Sequence, residues 1–258
     1  MGSSQRFGAL RSGGIRNTKV ELQMKLNRNT NVESLQVSPP DAKPMLPAVP
    51  SSVVYNEDCV EALKRFDDNY FDVAIVDPPY GFRTEKTGIL NFRKGKQEKE
   101  WNVAPTAEYF DELKRVSKNQ IVWGGNYFPE LWVNGCRCFI YWHKGNPVPN
   151  FADGELAWTS FDRNAKQCDY RYYGNLEGKS SAGDKFHPTQ KPVYLYEWIL
   201  KEFAEEGNLI LDTHLGSGSS RIAAYKGGFN FVGFEIDKDY YEAQEKRFKD
   251  FVSQLRLF

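Results

Sequence analysis

Residues 211–220 read LDTHLGSGSS: an apolar run closing on an acid, then two nearby glycines, then the opening of a helix-like segment, SSRIAAYKG. Many nucleotide pockets begin this way, because glycines let the backbone approach a ligand and a helix N-terminus favours an anion. The position is unusual. Such a loop normally opens an α/β domain, whereas this one lies near the end of a 258-residue chain. A glycine pair alone also fits an ordinary helix entry, so the order of the surrounding elements has to decide.

From residue 51 onward, apolar runs alternate with amphipathic segments, the pattern of a mostly parallel sheet flanked by helices. Strands are predicted at SVVYN, FDVAIV, QIVW, CFIYW, NLILD and FNFVGFEI; helices at VEALKRF, AEYFDELKRV, YLYEWILKEFA, SSRIAAYKG and DYYEAQEKRFKDFV. Residues 1–50 lack sustained periodicity and finish in PPDAKPMLPAVP, which reads as a flexible, basic and proline-rich arm ahead of a catalytic domain at 51–258.

Equal numbers of basic and acidic residues, 34 each, exclude a uniformly basic nucleic-acid coat. Local patches must then do any such binding. One is the N-terminal arm; the other is FRTEKTGILNFRKGKQEKEW at 82–101, where Arg83, Arg93 and Lys94 interleave with aromatic residues. A charge run is more often a solvated surface, so position decides the second case. No uncharged apolar run reaches transmembrane length and the N-terminus lacks a secretory core, so a cytoplasmic protein is expected. The four cysteines are expected as reduced thiols. Cys136-x-Cys138 with His143 nearby invites a zinc reading, but CRCFIYW reads better as a buried strand, and no metal is expected.

The second diagnostic stretch is VDPPYGF at 76–82. Two prolines cannot extend a central strand, so Asp77 stands at a strand's carboxyl end, where open α/β sheets bind ligands. DPPY resembles the catalytic motif of the DNA amino-methyltransferases, which methylate exocyclic amines of adenine or cytosine using S-adenosylmethionine. The resemblance spans about residues 55–248 and includes NEDCVEAL, WGGNYF, NFADGELAWTSF, HPTQKP and the glycine loop with GFEID behind it. Each block is weak alone; their order is specific. It resembles the permuted beta class, in which the catalytic half precedes the cofactor half. The resemblance implies a Rossmann-like methyltransferase fold, with a mixed, mostly parallel sheet and circularly permuted motif order. It also explains why the glycine loop comes late, since the Asp212 and Asp77 strands would flank the sheet's switch point.

By the same resemblance, Asp77 and the Pro78 carbonyl accept hydrogen bonds from the target amine, Pro79 stiffens the loop, and Tyr80 stacks on a base flipped out of the duplex. Asp212, Gly216 and Gly218 would approach the methionine portion of the cofactor. Glu235 matches the acid on the ribose hydroxyls, Asp58 the residue near the adenine, and Thr189 and Lys191 add methionine contacts. Asn126 would line the base pocket, while Trp123, Phe128 and Trp158 serve core packing as readily. Recognition would use 82–101, including Arg83, Arg93 and Lys94, and parts of 143–185. The implied partner is DNA, with a homodimer compatible, and both restriction–modification members and orphan enzymes fit the pattern.

Adenine N6 is the leading acceptor, cytosine N4 the alternative, and a non-catalytic DNA-binding derivative of the fold a further one. Cytosine C5 chemistry would need a nucleophilic cysteine, typically following proline, and no cysteine here follows proline. The chain departs from the family at Thr213-His214, where Pro-Phe is common. There His214 is expected as a pocket wall, neutral beside a sulfonium.

Overall fold

The computed structural model describes residues 50–81, 103–145, 152–172, 187 and 189–255. The N-terminal arm and the basic loop at 82–101, with Arg83, Arg93 and Lys94, lie outside the described residues.

The chain runs β1 (Ser52–Tyr55), α1 (Cys59–Leu63), β2 (Phe71–Val76), α2 (Ala107–Val116), β3 (Ser117–Trp123), β4 (Phe139–His143), β5 (Gly154–Thr159), β6 (Lys166–Asp169), α3 (Val193–Phe203), β7 (Leu209–Asp212), α4 (Ser219–Lys226), β8 (Asn230–Phe234) and α5 (Lys238–Leu255). Among the described residues, eight strands form one sheet in the order β1-β8-β7-β2-β3-β5-β4-β6. All neighbours are parallel except β5, which runs antiparallel to β3 and β4. β7 and β2 pair directly, Val73 with Ile210 and Ala74 with Leu211. The acid-and-glycine loop and the DPPY loop therefore leave adjacent strands at the same end of the sheet, although the first comes late in the chain.

Burial on both sheet faces explains why FDVAIV reads as a continuous apolar run instead of an alternating one. Val73 and Ile75 join a core with Leu195, Ile199 and Phe203 of α3 and Ala223 of α4. Ala74 and Val76 join the opposite core with Leu63 of α1 and Phe110 and Leu113 of α2. Each fully buried large side chain contributes roughly 1.5–3 kcal/mol relative to exposure. Local signals start the helices: Asp58 accepts from the Val60 and Glu61 amides ahead of α1, Thr106 accepts from Tyr109 N ahead of α2, and Gly218, left-handed at φ 72°, precedes α4.

Two strands escaped the sequence reading. GELAWT at β5 lies inside the sheet between β3 and β4, so it shows no alternation, and its Gly154 and Glu155 disguise it. KQCD at β6 is an edge strand with only Cys168 buried. Part of the expected recognition region at 143–185 is thus sheet; residues 146–151 and 173–185 of it lie outside the described residues.

Candidate active site

At the end of β2, Asp77 is held from two sides. Tyr80 Oη donates to Asp77 Oδ1 at 2.9 Å, and Lys191 Nζ donates to Asp77 Oδ2 at 2.5 Å. Lys191 also lies 3.2 Å from Glu155 Oε2, and Lys144 pairs with Glu155 Oε1. Burial alone would raise the Glu155 pKa, but the Lys191 and Lys144 ammonium groups outweigh it and bring it to about 2. Lys191 follows the same logic with opposite sign. Burial disfavours its charge, and Asp77 and Glu155 more than reverse that, so its pKa is raised.

Space for the Tyr80 ring comes from the GGN turn after β3. Gly124 is left-handed at φ 64°, and a Cβ there would lie 2.1 Å from Tyr80 Cε1. A Cβ on Gly125 would meet Trp158 Cβ at 2.4 Å. Tyr127 packs on Tyr80 with ring centroids 5.0 Å apart, and Phe128 meets the Tyr80 ring edge-on at 6.1 Å. Asn126 is exposed beside them, while Trp123, Phe128 and Trp158 are buried core residues.

One strand over, the glycine loop is tied down from three directions. Asp212 accepts from His214 N at 3.0 Å and Ser220 Oγ at 2.5 Å. Glu235, at the end of β8, accepts from Gly216 N at 2.7 Å and Asp237 N at 2.9 Å. Arg247 of α5 donates to the Ser217 carbonyl at 2.7 Å. Gly216 has φ 53°, and a Cβ there would come within 3.3 Å of the His187 ring.

Burial pushes the Asp212 pKa up to about 7 against its two hydrogen bonds, with Asp77 and Glu235 adding repulsion. Both of those hydrogen-bond donors are neutral, so a positively charged ligand would relieve this carboxylate. His214 is half-buried, and burial lowers its pKa to about 4 despite Asp58, so the ring is neutral near pH 7. Its Nδ1 lies 2.9 Å from Thr213 Oγ1, which in turn lies 2.7 Å from Tyr109 Oη of α2. The ring is therefore a wall fixed by a hydrogen-bonded chain.

The fold brings Asp77, Pro78, Pro79, Tyr80, Asp212, Gly216, Gly218 and Glu235 to one end of the β2, β7 and β8 strands. Other expected residues stand differently. Lys191, expected at the methionine end of a cofactor, is ion-paired with Asp77, because the segment entering α3 directs its buried side chain to the acid at the end of β2. Thr189 is exposed and bonds His187 Nδ1 at 3.2 Å. Asp58 is exposed and occupied as the α1 cap. Glu155 and Tyr127 were missed. A glutamate inside an otherwise apolar strand segment was the available signal for the first, since buried charge requires a partner. Tyr127 was visible only as the aromatic neighbour of Asn126.

A family model described as DNA methylase, of the N6/N4 type, matches residues 81–246, well over half of the chain. The Type II methyltransferase M2.MboI of Moraxella bovis is 24% identical, with 79% of this chain and 89% of that protein covered. The Type II methyltransferase M2.DpnII of Streptococcus pneumoniae is also 24% identical, covering 76% and 88%. Among solved structures, the M1.HpyAVI–SAM complex superposes with a TM-score of 0.51 at 20% identity, covering 76% of this chain and 98% of that one. The PvuII cytosine-N4-specific DNA methyltransferase gives 0.50 at 18% identity, covering 78% and 88%. Those structures establish the Rossmann-like methyltransferase fold, and with the extent of the family match, the chain belongs to the N6/N4 DNA methylase family.

Proposed function

We propose that this protein transfers the methyl group of S-adenosylmethionine to the exocyclic N6 amine of adenine in DNA, acting on a base flipped out of the duplex. The observation that carries the reading is the pairing of β2 with β7, which sets the Asp77 carboxylate beside the glycine loop at the sheet's switch point. The loop suits the cofactor. Asp212 is a buried acid in need of a positive charge, Glu235 presents a carboxylate at the next strand end, and left-handed Gly216 turns the loop between them. Bound there, S-adenosylmethionine supplies an electrophilic methyl group on a sulfonium.

The chain's own residues would do the rest. Adenine's amine lone pair is delocalised into the ring, so Asp77 and the Pro78 carbonyl, by accepting its hydrogens, would localise that pair and aim it along the transfer line. Tyr80, backed by Tyr127, would offer a ring face to the extruded base. Arg83, Arg93 and Lys94 would contact backbone phosphates, which position without reading sequence.

Incubation of the protein with unmethylated DNA and labelled cofactor, followed by nucleoside identification, tests the reading. N6-methyladenine is expected; exclusive N4-methylcytosine overturns the choice of base. Asp77→Ala should keep cofactor binding and lose methyl transfer by at least about a hundredfold. Unchanged turnover would remove Asp77 from the mechanism.

A further inference from the structure

Four charged side chains from four separate segments alternate in sign through the site: Asp77 after β2, Lys191 before α3, Glu155 on β5 and Lys144 after β4. The Lys191 side chain is only 4% exposed, and Trp123 of β3 lies against it, the ammonium 5.2 Å from the ring centroid. Tyr196 of α3 also faces it. A buried charge that loses its partner costs several kcal/mol, so each member constrains the next. In this arrangement Tyr80 occupies Asp77 Oδ1 and Lys191 occupies Oδ2. An incoming amine competes with one of them.

We propose that Glu155 is a positioning residue for methyl transfer: it holds Lys191 beside Asp77 and receives the ammonium when the target amine takes that place on the carboxylate. The inference rests on the reading of Asp77 as acceptor of the amine's hydrogen bond. Glu155 is suited to the part because its Oε2 already lies 3.2 Å from Lys191 Nζ, while Lys144 fixes its other oxygen. A turn of the lysine's terminal bonds exchanges one carboxylate for the other without exposing the cation or leaving it unpaired. Without Glu155, every substrate amine would have to leave a buried ammonium stranded.

The test is a double-mutant cycle on the full chain, with steady-state methylation of DNA measured across pH. Glu155→Gln should lower kcat by on the order of ten- to a hundredfold with the cofactor KM little changed. In Glu155→Gln, kcat should then recover as pH is raised into the alkaline range, because a Lys191 left with one carboxylate sheds its proton more readily and no longer strands a cation when the amine takes its place. Glu155→Asp should recover part of kcat and remove that alkaline rise. In the Lys191→Met background, Glu155→Gln should cost nothing further, because it acts through the lysine.

Wild-type kcat in Glu155→Gln, or losses that add in the double variant, overturns the proposal. If Glu155→Gln does not fold by circular dichroism, Glu155→Asp decides: reduced kcat with intact cofactor KM supports the proposal, and wild-type kcat overturns it. A wild type that makes only N4-methylcytosine defeats the adenine reading while the cycle still decides this one. A wild type that methylates neither base defeats both.

Discussion

Tyr80 Oη donates to Asp77 Oδ1 at 2.9 Å, so the ring assigned to the target base is latched to the acid assigned to its amine. The latch and the stacking surface are separable by mutation. Tyr80→Phe keeps the ring and is expected to hold kcat within about threefold. Tyr80→Ala should lose roughly five- to 150-fold, the equivalent of one base–aromatic stack. Steady-state methylation of DNA by both variants checks this; equal losses would give the hydroxyl the larger part.

Gly124 makes room for that ring. In Gly124→Ala the new Cβ would fall 2.1 Å from Tyr80 Cε1 at a left-handed backbone position, so ring and turn must both move. The expected result is at least a tenfold fall in kcat with a stability loss of about 1–3 kcal/mol. Urea unfolding alongside kinetics separates the two, and full activity would show that the ring's position is not critical.

Asp212 sets a pH dependence for cofactor binding. Its pKa of about 7 is raised, so near pH 6 it is largely protonated, and a cationic cofactor favours its ionised form. Binding should therefore release a proton, and affinity should rise as pH increases toward 7, by up to about tenfold per unit. Calorimetry in buffers of different ionisation enthalpy measures the proton directly. In Asp212→Asn both the release and the slope should vanish.

His214 should contribute no titration to turnover. With its pKa lowered to about 4, the folded protein carries it neutral from pH 5 to 8, so His214→Phe should leave the shape of the kcat profile unchanged in that range. Stability behaves differently. Between about pH 4 and 6.5 the unfolded chain binds the proton and the folded chain does not, so stability rises with pH and is lost as pH falls. His214→Phe should flatten that acid-side decline, read by thermal unfolding at pH 5 and 7.

The two ends of the site were legible along the chain because each is encoded locally. Adjacent prolines must end the strand before Tyr80, the turn before α4 takes up the glycines, and apolar runs mark the strands that carry Asp77 and Asp212. Resemblance in block order then supplied the permutation, and the direct pairing of β2 with β7 bears it out. β5 was not legible, since a strand covered on both faces loses its alternation and this one contains a glutamate.

By itself, then, the sequence determined the α/β class, through its alternation of apolar runs and amphipathic segments, and which strand ends carry the acids and glycines, through backbone restrictions within a few residues. Only the tertiary structure decided that Lys191 meets Asp77 across 114 residues, that Glu155 receives the same ammonium, and that Gly124 is hollowed to fit Tyr80. Such pairings arise from packing and charge compensation between distant segments, which leave no periodic trace in any one of them.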